Sequence, residues 1–214
     1  DMETALKESS KVLAVKGRVI PASKESVRLD AVMTDGTVVE GESQIPEVRK
    51  KIHRVQLFPR KVEAVPSALE AIETSDAIIL GPGSLYTSIM PNLLVEGVAQ
   101  ALKKSHAIKI YICNVMTQPG ETDNYTAFDH AKAILDHAGQ GVIDYVLVNS
   151  KPIPQEFLDK LGAQAVKVDE DKINALGMGL IKADLMSETD AGRHDPEKLC
   201  QAVMKIIDEM TKHD

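Results

Sequence analysis

The 214-residue chain has no Trp, and Phe and Tyr together make up only 3% of it. Bases of single-stranded nucleic acid stack on aromatic rings, so that partner is not expected. Positive charge is also short: 25 Lys and Arg face 32 Asp and Glu, a net charge of −7. General nucleic-acid binders and proteins of anionic membrane surfaces carry the opposite balance. Only Cys113 and Cys200 supply thiols, and neither belongs to a CxxC pair, so no zinc site or disulfide framework is indicated. Reduced cysteines fit the cytoplasm. No apolar run approaches the roughly 20 residues that cross a bilayer, so no membrane insertion is expected. Also missing are a GxGxxG fingerprint, a Walker lysine after Gly83, a GxSxG elbow and any HExxH or His-x3-His spacing. No metal site and no catalytic residue is therefore assigned.

What is present is ordinary globular material, 43% hydrophobic and 27% charged. Residues 2–10 read as a helix, and Val12–Val15 and Arg18–Ile20 as strands around Gly17. Val27–Thr34 and Thr37–Glu40 flank Asp35-Gly36, a strong hairpin signal. Ile52–Phe58 alternates apolar and polar and stops at Pro59. From Pro66 the rhythm changes to strand and helix in turn. Helices are predicted over Pro66–Glu73, Asn92–Lys104, Ala127–His137, Phe157–Leu161 and Pro196–Thr211. Strands are predicted over Asp76–Leu80, Ile108–Asn114, Tyr145–Asn149 and Ala165–Val168. Such alternation predicts a parallel sheet covered by helices, an α/β Rossmann-like three-layer fold. The β region over 11–58 is expected as an antiparallel extension of it or a small subdomain. The expected organisation is one domain over 1–214, with its α/β core at 66–214.

Three of these strands end in polar clusters, and parallel strands deliver their carboxyl ends to one edge, the usual ligand crevice. Asp76-Ala-Ile-Ile-Leu80 breaks into Gly81, Pro82, Gly83 and Ser84, followed by Thr87 and Ser88. Glycine permits close backbone approach, and free amides there suit an anion; the alternative is a tight turn with capping hydroxyls. After the next strand come Asn114, Thr117, Gln118, Gly120 and Glu121. Asn114, Thr117 and Gln118 can read a base or sugar and Glu121 can accept from a hydroxyl; the alternative is a Pro-Gly turn. Asn149 ends the third strand. Arg193 could clamp a phosphate ahead of the last helix, where Asp195 and Pro196 read as cap and first position. Asp129-His130 is either an acid/base pair or a solvated first turn complementing the helix dipole. His53 and His106 read as surface or structural residues, and Cys113 as a small buried hydrophobe.

The segments Leu80-Gly-Pro-Gly-Ser-Leu-Tyr-Thr-Ser-Ile-Met-Pro-Asn-Leu-Leu94, Cys113-Asn-Val-Met-Thr-Gln-Pro-Gly-Glu-Thr122 and Arg193-His-Asp-Pro196 resemble signatures of the YvcK family of gluconeogenesis factors. That family is related to CofD, the 2-phospho-lactate transferase. Gly17-Arg-Val-Ile-Pro21 and the stretch from Asp35-Gly36 to Gly41-Glu42 match as well. The resemblance implies a cytoplasmic protein tied to growth on gluconeogenic carbon sources and to cell shape. It implies a small-molecule nucleotide ligand, UDP-N-acetylglucosamine or another UDP-sugar, with NADP as a further one. It leaves a ligand-binding regulator as the leading reading and a CofD-like phosphotransferase as the alternative. A homo-oligomer is also expected. Family members open with a glycine-rich strand-turn and an Asp-Asp-Gly-Gly-Ser-Ser-type loop, neither of which is found here. An N-terminal part of the domain, with half of the phosphate site, is thus expected to be absent.

Overall fold

The computed structural model describes residues 17–188 and 192–211. The helix expected over 2–10 and the strand at Val12–Val15 lie outside them, while Arg18–Ile20 is not a strand.

Strands β1 (Arg28–Met33), β2 (Val38–Glu40) and β3 (Ile52–Phe58) form an antiparallel sheet in the order β2-β1-β3. Asp35 fixes the hairpin between β1 and β2, its Oδ1 accepting from the Thr37 amide at 2.9 Å, while Gly36 takes a left-handed φ of 85°. This sheet is separate from the parallel one, so it is not an extension of its ladder. The two nonetheless share one core, in which Leu29, Ala31 and Met33 join Leu80, Leu85 and Met90.

The parallel sheet contains β4 (Ala77–Leu80), β5 (Ile108–Ile112), β6 (Tyr145–Asn149) and β7 (Gly179–Ala183), in sequence order. The apolar runs of β5 and β6 are buried on both faces, as parallel strands require. Ile110, Ile112 and Leu147 meet Ile206 of the last helix, Pro196–Thr211, on one side. Tyr111, Val146 and Val148 meet the main core on the other. Three layers result, and the architecture is Rossmann-like.

The helices are α1 (Pro66–Glu73), α2 (Met90–Leu93), α3 (Val98–Lys104), α4 (Ala127–Ala138), α5 (Gln155–Leu161), α6 (Glu170–Ala175) and α7 (Pro196–Thr211). The helix expected over Asn92–Lys104 is therefore two pieces. Gly97, at φ 95°, takes a left-handed conformation that no helix interior accommodates. Ala165–Val168 is not a strand either; it is a strap in which Ala165 bridges Met116 and the Val166 amide donates to Val115 O at 3.2 Å. β7 takes the fourth place in the sheet. Asp195 caps α7 as expected, its Oδ1 accepting from the amides of Glu197 and Lys198 at 3.0 Å each. No helix among the described residues is long and apolar enough to cross a membrane.

Candidate functional site

The carboxyl ends of β4, β5 and β6 share one edge. Chain reversal at β4 is sharp: the Gly81–Pro82 peptide is cis and Gly81 sits at φ 94°. A Cβ on Gly81 would lie 3.2 Å from Ile89 Cδ1 and 3.3 Å from Ile112 O, and one on Gly83 would lie 3.2 Å from Ser88 Cβ. Only glycine lets this turn lie so close to the end of β5. The chain then enters a wide helical turn, Leu85–Ile89, in which Ser84 O accepts from the amides of both Ser88 and Ile89 at 3.0 Å. Turns of this i to i+5 kind recur at functional sites.

Beside the turn lies a cleft of about 410 Å³ lined by Pro82, Gly83, Asn114, Gln118, Arg193 and His194, among others. Three polar atoms on this lining are buried without a hydrogen-bond partner among the described residues: Asn114 Oδ1, Gln118 Oε1 and His194 Nε2. Buried polar atoms are nearly always paired, and an unpaired one costs about 1–3 kcal/mol. Gln118 is held in place by its other amide atom, Nε2, which donates to Ser84 Oγ at 2.7 Å. Its backbone amide donates to Thr122 Oγ1 at 2.8 Å. Burial pushes the His194 imidazole below its ordinary value, against a hydrogen bond to the Cys113 backbone. At neutral pH the cleft therefore presents a neutral imidazole beside two amides. His194 reaches this place because the Ser187 amide donates to Arg193 O at 3.0 Å and Asp195 N to Leu185 O at 2.8 Å. Those bonds fold the Arg193–Asp195 stretch back over the sheet edge.

The residues named from the sequence divide. Pro82, Gly83, Asn114, Gln118 and Arg193 line the cleft, with Gly81 and Ser84 forming its turn. Thr117 is a fastener: its amide donates to Gln164 O at 2.8 Å and its Oγ1 accepts from Gln164 N at 2.9 Å. Asn149 is another. It donates to Lys151 O at 2.7 Å and accepts from the amides of Lys151 and Leu185 at 3.2 Å each, tying β6 to the segment after β7. Ser88 O accepts from Asn92 Nδ2 at 2.8 Å. Thr87 donates to Glu121 Oε1 at 3.1 Å, and Glu121 faces a different cavity. His194 was not singled out from the sequence; the only signal for it was its place inside Arg193-His-Asp-Pro196.

Glu121 is 8% exposed. Burial raises its carboxyl, while the Thr87 hydroxyl and the nearby amides of Tyr86 and Thr87 favour the charged form. The group that these amides face is thus the chain's own carboxyl. A carboxyl raised on folding contributes stability that is present below its unfolded value and is lost as pH rises through the folded one. Wild type should therefore lose ground to Glu121→Gln as pH rises from the ordinary carboxylate range upward, read as the difference in melting temperature at each pH. A constant difference would contradict it.

Asp129 is part of a capping box: its Oδ2 accepts from the Thr126 amide at 2.8 Å, and its own amide donates to Thr126 Oγ1 at 3.3 Å. His130 is fully buried rather than solvated, with Nδ1 2.8 Å from Thr126 O. Cys113 is buried, and burial pushes its thiol up to about 12. Among the described residues no group of three His, Cys, Asp or Glu is placed to hold a metal ion.

The family model described as 2-phospho-L-lactate transferase CofD matches residues 1–186. The chain is 48% identical over 209 residues to a Halalkalibacterium halodurans protein named gluconeogenesis factor, covering 96% of this chain and 65% of that protein. It is 46% identical over 213 residues to the Bacillus subtilis gluconeogenesis factor, covering 98% of this chain and 67% of that one. A crystal structure of a Bacillus halodurans protein superposes with a TM-score of 0.92 at 49% identity, covering 95% of this chain and 67% of that one. The chain thus spans about two thirds of the length of these relatives. It belongs to the CofD family, within the group whose members are named gluconeogenesis factors.

Proposed function

We propose that this chain carries the ligand cleft of a cytoplasmic UDP-sugar-binding regulatory protein, with UDP-N-acetylglucosamine as the leading ligand and NADP as the competitor. The observation that carries the reading is the convergence of three unpartnered buried atoms, on Asn114, Gln118 and His194, at one cleft. All three belong to neutral side chains at neutral pH. Such a set suits an imide or amide, as in uracil or an N-acetyl group, better than it suits a phosphate. Arg193 on the rim supplies a positive charge for a diphosphate, and the glycines at 81 and 83 allow it to approach the backbone. The relatives' name supports a role in growth on gluconeogenic carbon. A role in cell shape and a homo-oligomeric state belong to the same proposal; light scattering tests the second.

Calorimetric titration of the full-length protein is the direct test. UDP-N-acetylglucosamine should bind saturably, and Gln118→Ala should weaken binding by about tenfold or more, since a ligand-side hydrogen bond and the Ser84 contact go together. No heat at millimolar ligand sinks the reading.

A second reading is a transferase acting on a nucleotide-activated phospho-lactate, and the description of the matching family model favours it. Nucleotide release on mixing that donor with a deazaflavin acceptor would decide for it.

A further inference from the structure

The loop that gives Gln118 to the first cleft gives Glu121 and Asp123 to a second cavity of about 640 Å³. That volume is within the roughly 300–1,000 Å³ usual for small-molecule sites. The cavity runs between the antiparallel sheet and α4, and nothing in the reading of the first cleft uses it.

Tyr86, Tyr125 and His137 line it, together with the carboxyl groups of Glu121, Asp123 and Asp136, the last paired with Lys132 at 2.6 Å. The hydroxyls of Tyr86 and Tyr125 are 2.8 Å apart, and the rings of Tyr86 and His137 meet edge to face at 6.0 Å. His137 has no free nitrogen: Nε2 accepts from the Val55 amide at 3.0 Å and Nδ1 lies 2.7 Å from Ala133 O. The lip is cationic. Arg49, Lys50 and Lys51 stand on it, all exposed. Lys50 is held by Asp35 at 2.8 Å, whereas Arg49 and Lys51 have no ion-pair partner among the described residues. Arg49 sits at φ 49°, where the turn Pro46–Val48 ends, and Asn124, also on the lining, sits at φ 61°. Non-glycine residues are uncommon there. On the opposite wall Asp129 spends Oδ2 on Thr126 and leaves Oδ1 without a hydrogen bond among the described residues.

We infer that this cavity is a second ligand site, taking a small phosphorylated polyol whose phosphate meets Arg49 and Lys51 and whose hydroxyls meet Asp129. A guanidinium beside an ammonium suits a phosphate dianion, and a free carboxylate oxygen suits a hydroxyl donor. The flat Tyr125 ring can carry the apolar face of a sugar. Cation and carboxylate on facing walls favour a molecule with both groups over inorganic phosphate or a neutral sugar.

The test is calorimetry on the full-length protein with glucose 6-phosphate, glucose and inorganic phosphate as probes. Glucose 6-phosphate should bind saturably and more tightly than either of the others. The double variant Arg49→Ala/Lys51→Ala, both positions exposed, should weaken it by about tenfold or more with the melting temperature preserved. Lys205→Ala, on α7, should leave binding unchanged. Four outcomes overturn the inference: no saturable binding, equal binding of inorganic phosphate, equal loss in Lys205→Ala, or loss in Asn114→Leu, which would place the probe in the first cleft.

Discussion

Gly120→Ala should cost about 3–5 kcal/mol of stability, seen as a fall of roughly 10 °C in melting temperature. Two effects add. Gly120 sits at φ 82°, which disfavours any side chain, and a Cβ there would come within 2.1 Å of Pro46 O. That neighbour is backbone in the turn Pro46–Val48 and cannot swing aside. The contact is the point where the loop carrying Gln118 and Glu121 rests on the antiparallel part of the molecule. Gly36 is the control. Its φ is 85°, but a Cβ there meets nothing within 4 Å. Gly36→Ala should therefore cost only the conformational strain, about 1 kcal/mol. Equal losses in the two variants would show that the approach to Pro46 is unimportant. Because both cavities share this loop, Gly120→Ala should also weaken ligand binding, where Gly36→Ala should not.

Much of this arrangement could be read from the chain, and what could not has identifiable causes. Period and turn chemistry were sufficient where one face or one element decides. Asp35-Gly36 marked the hairpin, the unbroken apolar runs marked β5 and β6, and the Asp195-Pro196 pair marked the start of α7. β7 was hidden by its first residue. Gly179 has weak strand preference, yet it is required because a Cβ there would lie 2.5 Å from the Tyr145 ring on the neighbouring strand. The periodicity of 92–104 was helical, but the pattern does not register the single left-handed residue at Gly97 that splits it. In the site, the strand ends were legible because parallel topology fixes where they go. The direction of each loop side chain was not. Thr117 bonds to the backbone of Gln164 and Asn149 to that of Lys151 and Leu185, and Glu121 turns away from the cleft that Gln118 enters, though the two are three residues apart. Loop backbone torsions set those directions, and no spacing rule encodes them. His194 joins the cleft through bonds between Ser187 and Arg193 and between Leu185 and Asp195, contacts that only the folded chain supplies.

Asn114→Leu should separate binding from stability, and in opposite directions. The Oδ1 of Asn114 is buried with no partner among the described residues, so folding removes its water and returns nothing. Leucine of similar shape removes that cost. The variant should be as stable as wild type or more stable, by about 1 kcal/mol, or a rise of roughly 2–4 °C in melting temperature. Binding should move the other way. If the cleft reads an imide or amide, losing the Asn114 amide leaves the ligand's own polar group buried and unpaired, which costs about 1–3 kcal/mol or about 10–100-fold in affinity. Gains in stability coupled to lost recognition mark a group kept for its ligand. Calorimetric unfolding and titration of the same preparation measure both. A variant that is strongly destabilised would mean that Asn114 serves the fold. A variant that binds UDP-N-acetylglucosamine as wild type does would remove Asn114 from the site, and with it one of the three atoms on which the reading of the cleft depends.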